Sequence, residues 1–195
     1  MNKFVFVMSL LFSSSVIAEM SAGVSDFYQD VYLSVGVGSH DLERQSSTQL
    51  SALFGARNYY RHNYNWFIGG EFESSYSGNE ARTTEGTYSV SLDEKFSLGA
   101  NIPVGKRFTF YDDFSIDAYG VFGYSMTRLK ASARFGDSSV SDSITVHGPK
   151  WGGGIDASFT DYMIGARWTR VNLDGGDVHD ALREENITLL IGYKF

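Results

Sequence analysis

Along most of this chain apolar and polar residues alternate one for one. The last nine residues show the pattern cleanly. Ile187, Leu189, Ile191, Tyr193 and Phe195 take the odd positions; Thr188, Leu190, Gly192 and Lys194 take the even ones. Successive side chains of a strand point to opposite faces, so this stretch predicts a terminal strand with one apolar face. The period recurs seven more times. Residues 30–38 set Val31, Leu33, Val35 and Val37 against Tyr32, Ser34, Gly36 and Gly38. Residues 50–60 set Leu50, Ala52, Phe54, Ala56 and Tyr60 against Ser51, Gly55 and Arg57. A third strand opens at Trp66, with Ile68, Gly70 and Phe72 on its side and Glu71 and Glu73 on the other. The fourth is the least regular, with Phe96, Leu98, Ala100 and Ile102 opposing Lys95, Ser97, Gly99 and Asn101. The fifth runs from Phe114 to Thr127, the sixth from Trp151 to Phe159 and the seventh from Tyr162 to Thr169.

Between these strands the connections alternate in length. Residues 61–65, the segment around Tyr111, Asp112 and Asp113, and the pair Thr160 and Asp161 read as tight turns. Residues 39–47, 75–86, 132–144 and 172–181 are rich in Ser, Asp, Asn and Gly and read as long polar loops. No longer repeat, low-complexity tract or linker is present. Eight strands in one domain is therefore the expected organisation.

Composition narrows the class. The 195 residues include 21 Gly and only 2 Pro, and aromatics make up 15%. That mixture favours an all-β chain. Cysteine is absent, which removes disulfides, thiolate metal sites and thiol nucleophiles. A net charge of −7 with no basic patch argues against a nucleic-acid partner. At the N-terminus, Lys3 followed by the apolar residues 4–12 and by Val16, Ile17 and Ala18 reads as a cleaved signal peptide over residues 1–18, with the mature domain covering 19–195. Its apolar run is too short for a membrane-spanning helix, which needs about 20 residues.

Alternation does not say which face is inside. A soluble ligand-carrying barrel would turn the apolar face inward; a membrane barrel turns it outward. Three features favour the second. Short and long connections alternate, as periplasmic turns and extracellular loops do. Trp66, Phe114, Tyr162, Tyr193 and Phe195 mark one end of the apolar face, and Tyr124, Trp151 and Trp168 the other, as interfacial aromatic girdles would. The polar face carries both charge signs in mid-strand together with many glycines. The expected fold is an all-β, eight-stranded antiparallel up-and-down transmembrane β-barrel. With its leader, its eight strands, its four long loops and its final Tyr193-Lys194-Phe195, the chain resembles the small outer-membrane barrels of the OmpA, OmpX and opacity-protein type. That resemblance implies a Gram-negative outer-membrane location and a monomer. It implies outer-membrane lipid and lipopolysaccharide as surroundings. Barrel-assembly machinery and periplasmic chaperones would be its partners in biogenesis, with Ile191, Tyr193 and Phe195 as the C-terminal assembly signal. It also implies a surface role in adhesion, colonisation or host-defence resistance, with a host surface ligand held by the loops. A narrow pore and a lipid A-modifying enzyme are the alternatives.

Four groups of residues carry candidate chemistry. Arg57, Glu71, Glu73, Asp117, Asp156 and Arg167 fall on polar faces. An eight-stranded barrel is only wide enough for side chains to fill, so they are expected to pair across the lumen as a charge network that plugs it. Arg128, Lys130 and Arg170 lie above the apolar bands, where they either contact lipopolysaccharide phosphates or are ordinary solvated rim residues. Ser39, His40 and Asp41 are adjacent, but neighbours along an extended chain point apart, so they make a poor catalytic triad. Asp174, Asp177, His179 and Asp180 form an acidic loop without the spacing of a calcium loop. No catalytic, cofactor or metal site is assigned.

Overall fold

In a computed structural model the described residues are 27–42, 45–60, 65–78, 80–85, 88–135, 138–174 and 182–195. The expected leader, residues 1–18, lies outside them. Nine strand segments follow in order: β1 (Phe27–Leu42), β2 (Gln45–Tyr60), β3 (Trp66–Ser77), β4 (Glu80–Glu85), β5 (Tyr88–Tyr111), β6 (Phe114–Phe135), β7 (Ser138–Phe159), β8 (Tyr162–Leu173) and β9 (Leu182–Lys194). All pairings are antiparallel. β3 pairs with β5 through Ser75 opposite Ser97, and β4 continues along the same strand from Glu80 opposite Asp93. β1 pairs with β9, Val35 opposite Ile191, which closes the sheet into a ring of eight.

The apolar face points outward. Leu189, Ile155 and Ile164 are 63%, 58% and 66% exposed, whereas Arg57, Glu71, Asp117 and Asp156 are at most 1% exposed. A water-soluble barrel would reverse these values, because a continuous exposed apolar belt is tolerated only against lipid or a partner. Closure also removes every sheet edge across the hydrocarbon, where an unpaired backbone amide is costly.

One rim gathers the tight turns. Thr160 takes φ 48° in the two-residue turn between β7 and β8, and Asn65 takes φ 57° before β3. At this rim Tyr162 and Tyr193 meet edge to face at 5.5 Å, Tyr193 and Phe195 at 5.2 Å, and Phe114 and Phe159 lie 4.7 Å apart. Toward the opposite rim Trp151 and Trp168 meet at 5.1 Å.

The long loops are shorter than the sequence pattern indicates. β1 runs to Leu42 and β2 begins at Gln45, so only two residues separate them. Much of 75–86 is strand, and 132–144 belongs almost wholly to β6 and β7. The reason is solvation. Above the membrane the outer face of a strand meets water instead of lipid, so the apolar–polar contrast that marks a strand disappears while the backbone ladder continues. Of the fourth loop, residues 175–181 lie outside the described residues, so Asp177, His179 and Asp180 have no described position.

Candidate functional site

Because β-strand side chains alternate, every second residue of eight strands enters one narrow lumen. Its lower half, toward the tight turns, is filled by an ionic plug. Arg57 from β2 donates to Asp117 of β6 at 3.0 Å, to Asp156 of β7 at 2.6 Å and to Glu71 of β3 at 3.5 Å. Arg167 from β8 grips Glu71 with two parallel bonds of 2.7 and 2.9 Å. Arg107 from β5 does the same to Asp117, at 2.7 and 2.8 Å. Such forked pairs are short because both partners are ionised, and the planar guanidinium fits both carboxylate oxygens.

Tyrosines knit the pairs together. The Tyr59 hydroxyl donates to Asp117 at 2.7 Å and accepts from Arg107 at 2.6 Å. Tyr119 donates to Asp156 at 3.1 Å and accepts from Arg167, and Tyr32 donates to Glu71. The Arg57 guanidinium also sits 4.8 Å from the Tyr32 ring, 4.5 Å from Tyr119 and 5.1 Å from Phe67. Within this plug Arg57, Arg107 and Arg167 balance Glu71, Asp117 and Asp156. Asp30 forms an ion pair with Arg107 at 2.8 Å and lies 3.9 Å from Lys194, adding one further charge of each sign at the rim.

Two glycines open the room these side chains occupy. A Cβ on Gly165 would lie 2.0 Å from Asp156 Oδ1, and one on Gly154 would lie 2.6 Å from the Tyr119 hydroxyl.

Five of the six expected lumen charges, Arg57, Glu71, Asp117, Asp156 and Arg167, thus meet in one network. Glu73 stands apart, one layer higher, where it accepts from Lys150 at 2.5 Å and from Asn101 at 2.9 Å. Arg107, Lys150 and Asp30 are participants that the sequence reading missed. Continuing the period of β5 past Ile102 reaches Arg107, and extending β7 back by one residue reaches Lys150.

The outward cations do not form one cluster. Arg128 pairs across β7 with Thr145, whereas Arg170 pairs with Trp151. Six residues along β7 amount to roughly 20 Å. Arg170 lies 5.7 Å over the Trp151 ring and 3.9 Å from Glu185. Arg128 is exposed, and Lys130 is half-buried on the same face of β6.

Ser39, His40 and Asp41 separate as expected. His40 enters the lumen, where its Nδ1 is 2.5 Å from Asn186 Oδ1 and 3.7 Å from Glu184. Ser39 bonds Ser46 on the outer face at 3.0 Å, and Asp41 is exposed. Among the described residues, no group of three or more His, Asp and Glu is placed to hold a metal ion.

Comparison with known proteins agrees with this architecture. The model of the outer membrane protein beta-barrel domain matches residues 4–195. Among solved structures, Ail, the attachment invasion locus protein of Yersinia pestis, in complex with the heparin analogue sucrose octasulfate, aligns at TM-score 0.50 and 14% identity, covering 86% of this chain and 97% of Ail. Neisserial surface protein A aligns at TM-score 0.44 and 15% identity, covering 89% and 99%. The N-terminal barrel of Pseudomonas aeruginosa OprF aligns at TM-score 0.37 and 14% identity, covering 86% and 100%. No curated protein matches the chain. A matching family model over nearly its whole length and a closed eight-stranded ring with an apolar outer belt lead to one conclusion: the chain belongs to the outer membrane protein beta-barrel domain family.

Proposed function

We propose that this outer-membrane barrel is a non-enzymatic surface-interaction protein, serving adhesion, colonisation or host-defence resistance, and that its contact surface is the strand sheet beyond the outer rim. The supporting observation is the length of three strands. A tilted strand crosses the hydrocarbon in about 9–11 residues, and β8 has 12, whereas β5, β6 and β7 have 24, 22 and 22. About a dozen residues of each therefore continue outward, joined by β4 along the far side of β5.

The outer part of β7 pairs with β6 up to Ser138, but its ladder with β8 stops at Lys150, with one bridge between His147 and Asp174. Residues 138–146 thus present a row of backbone donors and acceptors on one side with no strand beside them among the described residues. An extended peptide can add to such an edge, gaining main-chain hydrogen bonds along its length. Ail is described with a heparin analogue, so a sulfated saccharide is the second ligand class to try.

The test is adherence of bacteria expressing the chain to an epithelial monolayer, against cells carrying Ser141→Lys and Ser143→Lys. Both side chains are exposed on β7, and lysine blunts an edge strand without disturbing the barrel. A tenfold loss is expected at equal surface amounts. Equal adherence of the two strains refutes the assignment.

A further inference from the structure

The free edge of β7 has a definite hydrogen-bonding side. At its lower end His147 exchanges both main-chain bonds with Asp174, at 3.0 and 2.8 Å. Residues along an antiparallel strand bond alternately to one neighbour and the other. Ser139, Ser141, Ser143 and Thr145 therefore aim their N–H and C=O groups the same way as His147, away from β6. Among the described residues no strand meets them, because the ladder with β8 ends at Lys150. The edge is also held in place. Val146 is buried with Leu42, Leu129, Val171 and Leu173 in an apolar cluster at the outer mouth, and Ile144 packs against it. A preformed edge spares its partner the cost of ordering both sides.

This edge is its own complement. Laid antiparallel against a second copy and centred on Asp142, Ser139 meets Thr145 and Ser141 meets Ser143, twice over by symmetry. All four edge residues are then used, for about eight main-chain hydrogen bonds at two per pair. Val140, 73% exposed, falls opposite Ile144 as a cross-strand apolar pair. Centring on Ser141 leaves Thr145 without a mate, and centring on Ser143 sets Ser139 against His147, which is already bonded to Asp174. Copies in two facing membranes can adopt the centred arrangement, since the axis relating them lies in the membrane plane and reverses one strand against the other. Nine residues of β7 separate Asp142 from Trp151 in the outer girdle, roughly 30 Å of strand, so the facing rims stand at most roughly 60 Å apart.

One residue opposes the pairing. Asp142 Oδ1 accepts from the Ser143 N–H at 2.7 Å and so occupies a donor that the incoming strand needs. In the centred register it also faces its own counterpart in the second copy, where like charges repel.

We infer that the free edge of β7 pairs with the same edge of a second copy anchored in an opposing outer membrane, joining cell to cell, and that Asp142 is the guard on that edge. The inference rests on the surface-interaction reading and narrows its partner to this chain itself. Many copies meet wherever two cells touch, so a weak pairing suffices: after the first pair forms, the rest bind at high effective concentration.

The test mixes green cells expressing the chain with red cells that either express it or lack it, in a host without long surface polysaccharide. Two-colour clumps are counted, and heat-shifted gel mobility certifies equal amounts of folded barrel. Two-colour clumps about tenfold above background are expected only when both partners carry the chain. Ser141→Pro should cut them at least fivefold, because it deletes a donor on the free side and leaves the ladder with β6 intact. If that variant fails to fold, Ser141→Lys with Ser143→Lys replaces it. Asp142→Ala should raise clumping at least threefold. Clumps that include cells lacking the chain as readily as cells carrying it overturn the second copy as partner. Absence of clumps while epithelial adherence persists does the same, and absence of both overturns the surface-interaction reading as well. Clumping that the edge variants leave unchanged overturns the β7 edge, and an Asp142→Ala strain that clumps no more than the parent overturns the guard.

Discussion

The ionic plug makes a quantitative prediction about Glu71 and Arg167. Both side chains are at most 5% exposed, and their forked bonds of 2.7 and 2.9 Å replace the water each lost on folding. Glu71→Ala leaves the buried Arg167 charge with the Tyr119 hydroxyl as its hydrogen-bond partner among the described residues and the more distant Glu73 as its nearest balancing charge, and it also removes the 3.5 Å contact to Arg57. Removing one partner of a buried pair costs about 3–5 kcal/mol, much of it the penalty of the charge left behind. The double variant Glu71→Met with Arg167→Met deletes one charge of each sign. Arg57 and Arg107 then still balance Asp117 and Asp156, and the apolar replacements fill similar volume. Such exchanges are often neutral, so the double variant should lie within about 1.5 kcal/mol of the parent, as volume-conserving swaps do. The assay is reversible urea unfolding in lipid vesicles, read by tryptophan fluorescence and by unheated gel mobility, with a constant m-value confirming that only stability changed. A single-variant loss below about 1 kcal/mol would refute burial of the pair as a charged unit. A double variant as unstable as the sum of the two singles would refute their coupling.

Three further expectations follow from other parts of the molecule. Gly165→Ala should lower the urea midpoint by an amount equivalent to about 1–3 kcal/mol, because its Cβ would press on Asp156 Oδ1 while Arg57 and Tyr119 hold that carboxylate in place; an unchanged midpoint shows that Asp156 has room to move. Phe195→Ala should sharply reduce folded barrel in cells yet leave refolding from urea nearly unchanged. The ring is 74% exposed, while the backbone N–H of Phe195 already binds the Val31 carbonyl at 2.9 Å; equal losses in both settings would make it a stability residue rather than part of an assembly signal. Arg128→Ser should reduce co-purified lipopolysaccharide more than Arg170→Ser, since Arg170 is already shared with Glu185 and Trp151. Identical lipopolysaccharide content in both variants and the parent removes the phosphate-contact reading.

Alternation exposed the barrel because, within the membrane, the two faces of every strand meet opposite solvents. The same contrast puts Arg57, Glu71, Glu73, Asp117, Asp156 and Arg167 on the inner face from the sequence alone. It did not distinguish the plug from the separate Glu73–Lys150 pair, because that depends on height along tilted strands. Arg107 and Lys150 lie past the expected strand limits at Ile102 and Trp151. The ladder continues through Pro103, which pairs with Val121, and Pro149, which pairs with Tyr124, although a proline lacks the backbone donor and normally marks a strand end. The apolar cluster at the outer mouth was hidden for a different reason. Leu42, Leu129 and Leu173 stand on the inward parity, opposite to the apolar face of the strands that carry them, and their neighbours read as loop.

Among the described residues no strand covers the outer edge of β7, and that edge carries few of the devices that keep free strands apart. Residues 138–146 contain no lysine or proline and a single charge, Asp142, although charges and prolines are the usual protection of an exposed edge. Self-pairing within one membrane is nonetheless obstructed by geometry. Two copies inserted the same way are related by an axis along the membrane normal, so their β7 edges run in the same direction. The antiparallel arrangement used by every strand pair of this fold is then out of reach between them. An extended segment arriving from outside is under no such constraint and can lie antiparallel to β7. On the surface-interaction reading, the membrane therefore protects this edge against self-association within one membrane while an extended partner from outside could still add to it.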